Sequence, residues 1–553
     1  MQADLIITGA RVLTMDEARP RAEAVAVAAG KIVAVGTAAE VASLRGPQTR
    51  VIEAAGRSLL PGFVESHLHL GLGGLELQQL QLGGVMGFDA VKAAFLDYAA
   101  RHPELPVLFA QGAAYGIFGE DTTRQALDRI IADRPIALMS PDHHTVWANT
   151  RALEACGLLH GAEMPHGHEV VLAADGTATG ELREFEAFGP VIALAGNRRM
   201  NLGIATGAEP ESATPAERES DKGHFRRGLA HCAKHGITSM VNMDGNRYTL
   251  DLLSEIESEG GLTARVVVPF HMKPHMGLAE LDRASAMHRD FTGDWLRSGF
   301  VKMFMDGVVD SRTAYMLHDY PGCPGHRSEP LFEPERFKDI CAEIDKRGLQ
   351  IAVHAIGDGA VRTTIDGYEA AQVRNGKRDS RHRIEHIELI DRADVPRLGA
   401  LGITASVQPP HAPGAMDFPI DTMDTVYYRE RWKDAYLTRT LSEAGAPLAF
   451  ASDWPVTDIS VMRGIQAALT RVPFEGCQDE RVSRTEVLRA YTAGGAWAAK
   501  LEDVTGTIRV GLAGDLVLID GDIEAIPAEE IGSTGIALTV AGGRITHQAA
   551  GIA

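Results

Sequence analysis

Val301-Lys302-Met303-Phe304-Met305-Asp306-Gly307 is the stretch on which the reading of this chain turns. A lysine inside a short apolar run is costly to bury as an unpaired cation, so it asks for a partner or for chemistry. Upstream, His67-Leu68-His69 follows the apolar segment Leu59-Leu60-Pro61-Gly62-Phe63-Val64. Downstream, His354 closes Leu349-Gln350-Ile351-Ala352-Val353 and His386 closes His382-Arg383-Ile384-Glu385. Asp453 follows Pro447-Leu448-Ala449-Phe450-Ala451-Ser452. Each potential metal ligand thus stands at the C-terminal end of a run that reads as a strand. The chain has 21 histidines, and chance would seldom put the ligand-type ones in this order.

Eight such runs are recognisable, near 62–67, 237–243, 264–271, 299–305, 349–354, 382–386, 403–408 and 447–452. Helical segments alternate with them, the pattern of a parallel α/β architecture. Thr214-Pro215-Ala216-Glu217 is a capping box with proline at the first helical position, and Gly236 stops that helix. Glu333-Pro334-Glu335-Arg336 opens another, which Gly348 ends. The expected fold is a (β/α)8 TIM barrel built from 59–72 and 236–503, with its active site at the C-terminal ends of the strands. The interval 73–235 is too long for one βα connection and reads as an inserted α+β subdomain after the first barrel strand, contributing to the substrate pocket. Inside it, 107–110 and 136–140 look like buried strands, Asp175-Gly176 signals a hairpin, and 203–215 reads as a surface loop. Short strand candidates crowd both chain ends, neither set sufficient for a stable sheet alone. Residues 1–58 and 504–553 are therefore expected to join in one small β-sandwich.

The composition, 45% apolar and 23% charged, is that of an ordinary globular protein. A formal net charge of −20 disfavours nucleic acid and anionic membranes as partners. The five cysteines show no CxxC spacing and read as free thiols of a reducing compartment. With no basic leader and no apolar run of membrane length, the expectation is a cytoplasmic protein acting on a small molecule. A homo-oligomer, a dimer, is expected. No Walker motif and no GxGxxG between strand and helix point to nucleotides.

His67 and His69, two residues apart on an extended segment, present both rings to one face and can grip one ion. His166-Gly167-His168 has the same spacing without an apolar strand before it and reads as a solvated hairpin position. Lys302 has two readings. It can be a salt-bridged cation, or its amine can have reacted with carbon dioxide to give a carbamate able to bridge two divalent ions. In the second reading His354 and His386 serve one ion and Asp453 the other. Nitrogen and oxygen ligands without cysteine suit zinc, with manganese, iron or cobalt as alternatives.

The ordered set resembles the amidohydrolase superfamily, and more narrowly its YtcJ-like branch, amidohydrolase family 3. The carrying motifs begin with Pro61-Gly62-Phe63-Val64-Glu65-Ser66-His67-Leu68-His69 and the Lys302 stretch. Val353-His354-Ala355-Ile356-Gly357-Asp358, Arg383-Ile384-Glu385-His386 and Ser452-Asp453-Trp454-Pro455-Val456 follow. Asp142-His143-His144-Thr145-Val146-Trp147-Ala148-Asn149 and Ser406-Val407-Gln408-Pro409-Pro410-His411 are similar too, as is Gly511-Leu512-Ala513-Gly514-Asp515-Leu516-Val517. The resemblance implies the barrel, the split sandwich and metal-activated hydrolysis of the N-substituted formamide deformylase type. It also implies two divalent ions on His67, His69, Lys302, His354, His386 and Asp453, with Lys302 N6-carboxylated.

On this reading Asp453 holds the attacking hydroxide, accepts its proton and passes it to the leaving nitrogen. His144, on the inserted segment, is a candidate donor to the substrate or the developing oxyanion. Asp306 keeps the side-chain parity of Lys302 and is expected at the mouth. Arg312, His411 and Trp454 are candidates for the pocket rim. Leu75, Leu77, Leu80, Leu82, Met86 and Phe118 either pack the insert or receive an apolar leaving group. The expected reaction is hydrolysis of a non-peptide C–N bond in an amide, N-substituted formamide, carbamate or cyclic amide. A mononuclear deaminase of the same fold, with Lys302 unmodified, is the alternative. A catalytically inactive scaffold is the third reading, and the intact ligand set argues against it.

Overall fold

The computed structural model describes residues 2–165, 167–195, 198–416 and 418–552. In it the expected barrel runs form one eight-stranded parallel sheet. The strands are β1 (Phe63–Leu68), β2 (Ile237–Asn242), β3 (Arg265–His271), β4 (Leu296–Phe304), β5 (Gln350–Ala355), β6 (Arg383–His386), β7 (Thr404–Val407) and β8 (Leu448–Phe450), neighbours in that order. Past β8 the chain returns to β1. Leu68 bridges Trp454 in parallel, the His69 amide donates to the Trp454 carbonyl at 2.8 Å, and the Asp453 amide donates to the His67 carbonyl at 3.0 Å. The sheet is thereby a nearly closed barrel.

Helices on one face and side chains on the other bury these strands on both sides, which is why their sequences are continuous apolar runs and do not alternate. β3 is buried at every position. Val64, Val241, Val267, Phe300 and Ala352, from five successive strands or their ends, meet Ala496 and Leu501 in one cluster. Phe300 and Lys302 are two residues apart, as are Ala352 and His354, so this apolar layer and the ligands share the interior face. The helix Pro215–Lys234 carries the expected capping box at Thr214 and Glu217. Gly236, at φ +81°, ends it where a Cβ would also press on Phe63 and Val517.

The segment after β1 contains a six-stranded sheet in the order Leu80–Gln81, Leu108–Gln111, Ile136–Met139, Thr145–Ala148, Ala178–Arg183, Glu169–Leu172. The last two strands form the antiparallel hairpin that Asp175-Gly176 signals. Leu80, Leu82 and Phe118 pack in its core, Leu75 is buried, and Leu77 and Met86 are exposed. None of the six lines the central cavity, so the apolar leaving group drawn from them has no support. The stretch 203–215 also departs from expectation. Its first residues belong to the helix Arg198–Thr206, because Gly203 lets that helix sit against the Gly245 carbonyl, which a Cβ would approach to 2.1 Å.

Strands of both chain ends share a sheet ordered Arg544–Gln548, Ile536–Ala541, Leu516–Ile519, Ser58–Pro61, Arg11–Leu13, Arg21–Ala22. A four-stranded sheet, Lys31–Gly36, Ala24–Ala28, Leu5–Thr8, Arg50–Glu53, contributes Leu5, Ile7, Val25 and Val27 to a cluster with Leu59, Leu516, Leu538 and Val540 of the first. The apolar run beginning at Leu59 divides at Gly62: before it the chain pairs with Leu516–Ile519, after it with the barrel. A Cβ on Gly62 would fall 2.1 Å from Thr238 Oγ1. The buried Arg265–Asp515 ion pair, at 2.7 Å, ties β3 to this end of the molecule. The cysteines are unpaired. Among the described residues no helix is long and apolar enough to cross a membrane.

Candidate metal centre

Parallel register lines up the strand ends, and with them the ligand side chains. Lys302 stands opposite His271 on β3 and Ala352 on β5, Phe304 opposite His354, and Ala355 opposite His386. The rings of His67 and His69 lie 5.7 Å apart, those of His67 and His386 5.0 Å, and those of His354 and His386 4.4 Å. Asp453 Oδ1 is 3.2 Å from Nε2 of both His67 and His69, and Oδ2 is 3.9 Å from His386 Nδ1. His67, His69 and Asp453 form one group able to hold a cation, and His386, His411 and Asp453 a second.

The far nitrogens are equally ordered. His67 Nδ1 faces Glu385 Oε2 at 2.8 Å, His69 Nδ1 faces Asp244 Oδ1 at 2.6 Å, and His386 Nδ1 faces Gln408 Oε1 at 3.0 Å. In His67 and His69 the acceptor at Nδ1 fixes the ring and leaves Nε2 facing Asp453, the usual support of a metal-binding imidazole. Glu385 is itself gripped by Arg383 at 2.8 Å. Burial alone would raise its pKa, but Arg383 and His67 hold it well below the ordinary carboxylate range. His354 differs: its Nε2 faces the Gly307 carbonyl at 3.1 Å.

Lys302 is 1% exposed, and its Nζ lies 4.8 Å from the centre of the Phe304 ring. Burial pushes its pKa down to about 8. Lys302 Nζ, His386 Nε2 and Asp453 Oδ1 are all buried without a hydrogen bond. Each such atom costs about 1–3 kcal/mol when left unsatisfied, and two of them, on His386 and Asp453, belong to residues of the group with His411 that could hold a cation. His386 at φ +77° and Asp453 at φ +60° also hold the left-handed region, a strain that proteins concentrate at functional sites.

Of the other expected residues, His144 lines the cavity with its Nδ1 2.7 Å from Glu184 Oε2. Burial opposes its protonation, but Glu184 wins and lifts its pKa to about 9. Asp306 lines the cavity too, yet its carboxylate accepts the amides of Tyr315, Ile356 and Gly357 at 2.9–3.1 Å. It anchors the loops after β4 and β5. His411 is drawn in further than a rim residue, stacking on His386 at 6.0 Å with its Nε2 buried and unpaired. Trp454 packs beneath Gly73, where a Cβ would lie 2.5 Å from its ring, and does not line the cavity. Arg312 is exposed, borders a separate surface cleft and bonds Cys323 Sγ at 3.1 Å, so it is not brought to the site. His166 lies outside the described residues. His168 is half-buried at the cavity wall and accepts the Glu186 amide at 3.2 Å, unlike a solvated hairpin tip.

The cavity above the ligands measures about 380 Å³. Phe185, Phe188, Ile204, Met272, Phe304 and Phe332 supply much of its apolar wall. Glu65, Asp244, Glu385, Gln408, Glu184 and Lys273 escaped the sequence reading as contributors. Glu65 and Glu385 lie one or two residues from ligands within motifs already quoted. Glu65 accepts the Ser452 amide at 2.7 Å, and burial pushes its pKa up to about 8. Lys273 carries no sequence signal.

The model described as "Amidohydrolase family" matches residues 50–547. The chain belongs to the amidohydrolase family. Protein LONG AFTER FAR-RED 3 of Arabidopsis thaliana is 30% identical over 540 residues, covering 94% of this chain and 87% of its own length. The N-substituted formamide deformylase of Arthrobacter pascens is 24% identical over 533 residues, 94% of each chain. An uncharacterized metal-dependent hydrolase of Pyrococcus horikoshii shares the fold, with a TM-score of 0.73 at 23% identity over 95% of this chain and 99% of its own.

Proposed function

We propose that this amidohydrolase is a binuclear metal enzyme that hydrolyses a non-peptide C–N bond in an amide, N-substituted formamide, carbamate or cyclic amide. One observation carries the reading: His67, His69 and Asp453 form a group able to hold a cation, acceptors behind His67 and His69 leave Nε2 of each 3.2 Å from Asp453 Oδ1, and Lys302 Nζ is buried without a hydrogen bond. His67, His69 and Asp453 would hold one divalent ion, most simply zinc, and His354 and His386 the other. Lys302, as its carbamate, would bridge them. Bound there, such ions supply hydroxide at neutral pH and polarise a carbonyl oxygen.

The chain's own groups do the rest. Asp453 takes the proton from the attacking water and delivers it to the leaving nitrogen. His144, kept protonated by Glu184, donates to the substrate oxygen as charge develops on it. The insert, residues 73–235, closes the pocket over the barrel of 59–72 and 236–503, and the segments 1–58 and 504–553 act as its base. The relative that is a formamide deformylase supports this bond class.

The test is metal analysis together with a hydrolysis screen of the metal-replete protein on formamides, anilides, carbamates, lactams and aminopurines. Two ions per chain and turnover of a C–N substrate are expected. One ion with release of ammonia from an aminopurine would favour the deaminase reading, and active protein without metal would end both.

A further inference from the structure

The cavity has a second polar feature that the hydrolytic machinery leaves unused. Lys273, just past the end of β3, is the one lysine or arginine among the described residues that line it. Met272 precedes it in the chain, and the same cavity is lined by Ile204, Phe304, Leu331 and Phe332 as well as by Asn201, Glu186 and His275. Nζ donates to the Ile204 carbonyl, in the last turn of the helix Arg198–Thr206, where unpaired carbonyls favour a cation. It also sits 5.2 Å from the centre of the Phe304 ring. An ammonium carries three protons and Ile204 takes one. No carboxylate of the described residues pairs with it: Glu186, which lines the same cavity, acts on it only at a distance. Burial pushes its pKa down to about 8, so most of it is still charged at neutral pH.

A half-buried lysine without a close counter-ion leaves a strong donor unsatisfied. Its position relative to the ligands is defined by one shared ring. The Phe304 ring centre lies 5.2 Å from Lys273 Nζ and 5.0 Å from the His354 ring centre. Together these distances put Nζ at most about 10 Å from the His354 ring, a span that a substrate carrying one aromatic ring can bridge. The space beside that path is lined by Phe185, Phe188 and Phe332, which favour an apolar or aromatic body.

We propose that Lys273 is a specificity residue that pairs with a carboxylate, or a comparably compact anion, carried by the substrate at the end remote from the scissile bond. The inference rests on the cavity being the substrate pocket of the hydrolase proposed above, and it narrows the substrate class to apolar or aromatic C–N compounds bearing an acid group.

The experiment is calorimetric binding of 4-phenylbutyrate and its neutral isostere 4-phenylbutanamide to the metal-replete protein, with metal content measured in every variant. Wild type should bind the acid about tenfold or more tightly than the amide, as expected of one desolvated charge-assisted hydrogen bond. Lys273→Met should erase that preference and Lys273→Arg should keep most of it. Lys273→Gln, which retains a donor for Ile204, should also lose it and serves where Lys273→Met does not fold. Lack of acid preference in wild type would overturn the proposal. So would a preference that survives Lys273→Met or Lys273→Gln at unchanged metal content, because the acid would then be binding at the ligand cluster. The comparison needs no turnover, so failure of the hydrolase reading appears separately, as an inactive protein in the substrate screen.

Discussion

Replacing Lys302 by methionine separates a ligand from a merely buried cation. Lys302 is 1% exposed, and its Nζ makes no hydrogen bond. Burial holds its pKa at about 8 against an ordinary 10.5. At about 1.4 kcal/mol per tenfold, the charged form then costs the folded, metal-free protein about 3 kcal/mol. The sign follows from proton counting. Between about 8 and 10.5 the unfolded chain binds the proton and the folded chain does not, so stability rises with pH across that window and the full penalty applies below it. Lys302→Met fills the same space without charge. Chelator-treated Lys302→Met should therefore be more stable than chelator-treated wild type by about 3 kcal/mol at pH 7, and urea melts should show the gap closing toward pH 10.5. Under metal-replete conditions the order should reverse in function: fewer than two ions per chain, and kcat lower by about a thousandfold or more. A short carboxylic acid should partly restore both in Lys302→Ala by standing in for the carbamate. Two retained ions with near-normal kcat would refute the bridging role. A metal-free Lys302→Met markedly less stable than wild type would refute the account of an unpartnered amine.

Asp453→Asn should lower kcat by about 10²–10⁴ through lost proton transfer alone, and should remove the acidic limb of the pH–rate profile; an unchanged profile would exclude it as the proton carrier. His144 is held protonated up to about pH 9 by Glu184, so a donor role predicts that kcat falls as pH rises through that value. Glu184→Gln should move that fall to lower pH with metal content intact, and a stationary limb would assign it to another group. At the opposite end of the barrel, Asp345 is bonded by Arg378, Ser380, Asn375 and His382 at 2.6–3.2 Å. Burial alone would raise its pKa, but His382, Ser380 and Asn375 hold it below the ordinary range. Its stabilisation is thus present at neutral pH and lost on acidification. Asp345→Asn should cost about 1–3 kcal/mol at pH 7, with the difference shrinking below about pH 4, and should leave kcat unchanged.

The barrel was legible because parallel strands buried on both faces must be apolar throughout, and because glycines such as Gly236 and Gly348 punctuate the helices between them. The candidate ligands stand out because a polar residue ending such a run has few structural uses. What stayed hidden depends on contacts that sequence order does not encode. Glu385 reads as an ordinary polar neighbour of His386 until β6 carries it to 2.8 Å from His67. The helix Arg198–Thr206 was lost to Gly203, which reads as a breaker but serves the approach to Gly245. The pocket wall stayed open for a similar reason, and of the two readings of the insert's apolar residues the packing one holds for Leu80, Leu82 and Phe118. Leu80 and Phe118 sit closer in sequence to the ligands, whereas Phe185 and Phe188, more than a hundred residues beyond His69, are the ones folded over them.

The seam of the barrel and the site are made by the same residues. β1 and β8 meet through the Glu65–Ser452 bond, the Asp453 amide on the His67 carbonyl and the His69 amide on the Trp454 carbonyl. Gly73 admits Trp454 beneath the helix Leu70–Glu76 that follows β1, and a side chain there would press on the Trp454 ring at the seam. The strained backbone of Asp453 is therefore held by the bonds that close the sheet. In a barrel built this way, docking β8 against β1 completes both the hydrogen-bonded circle and the candidate ligand set, since Asp453 is the carboxylate common to both groups able to hold a cation. Anything that binds across His67, His69 and Asp453 ties β1 to β8, so metal loading should stabilise the fold at that seam more than anywhere else.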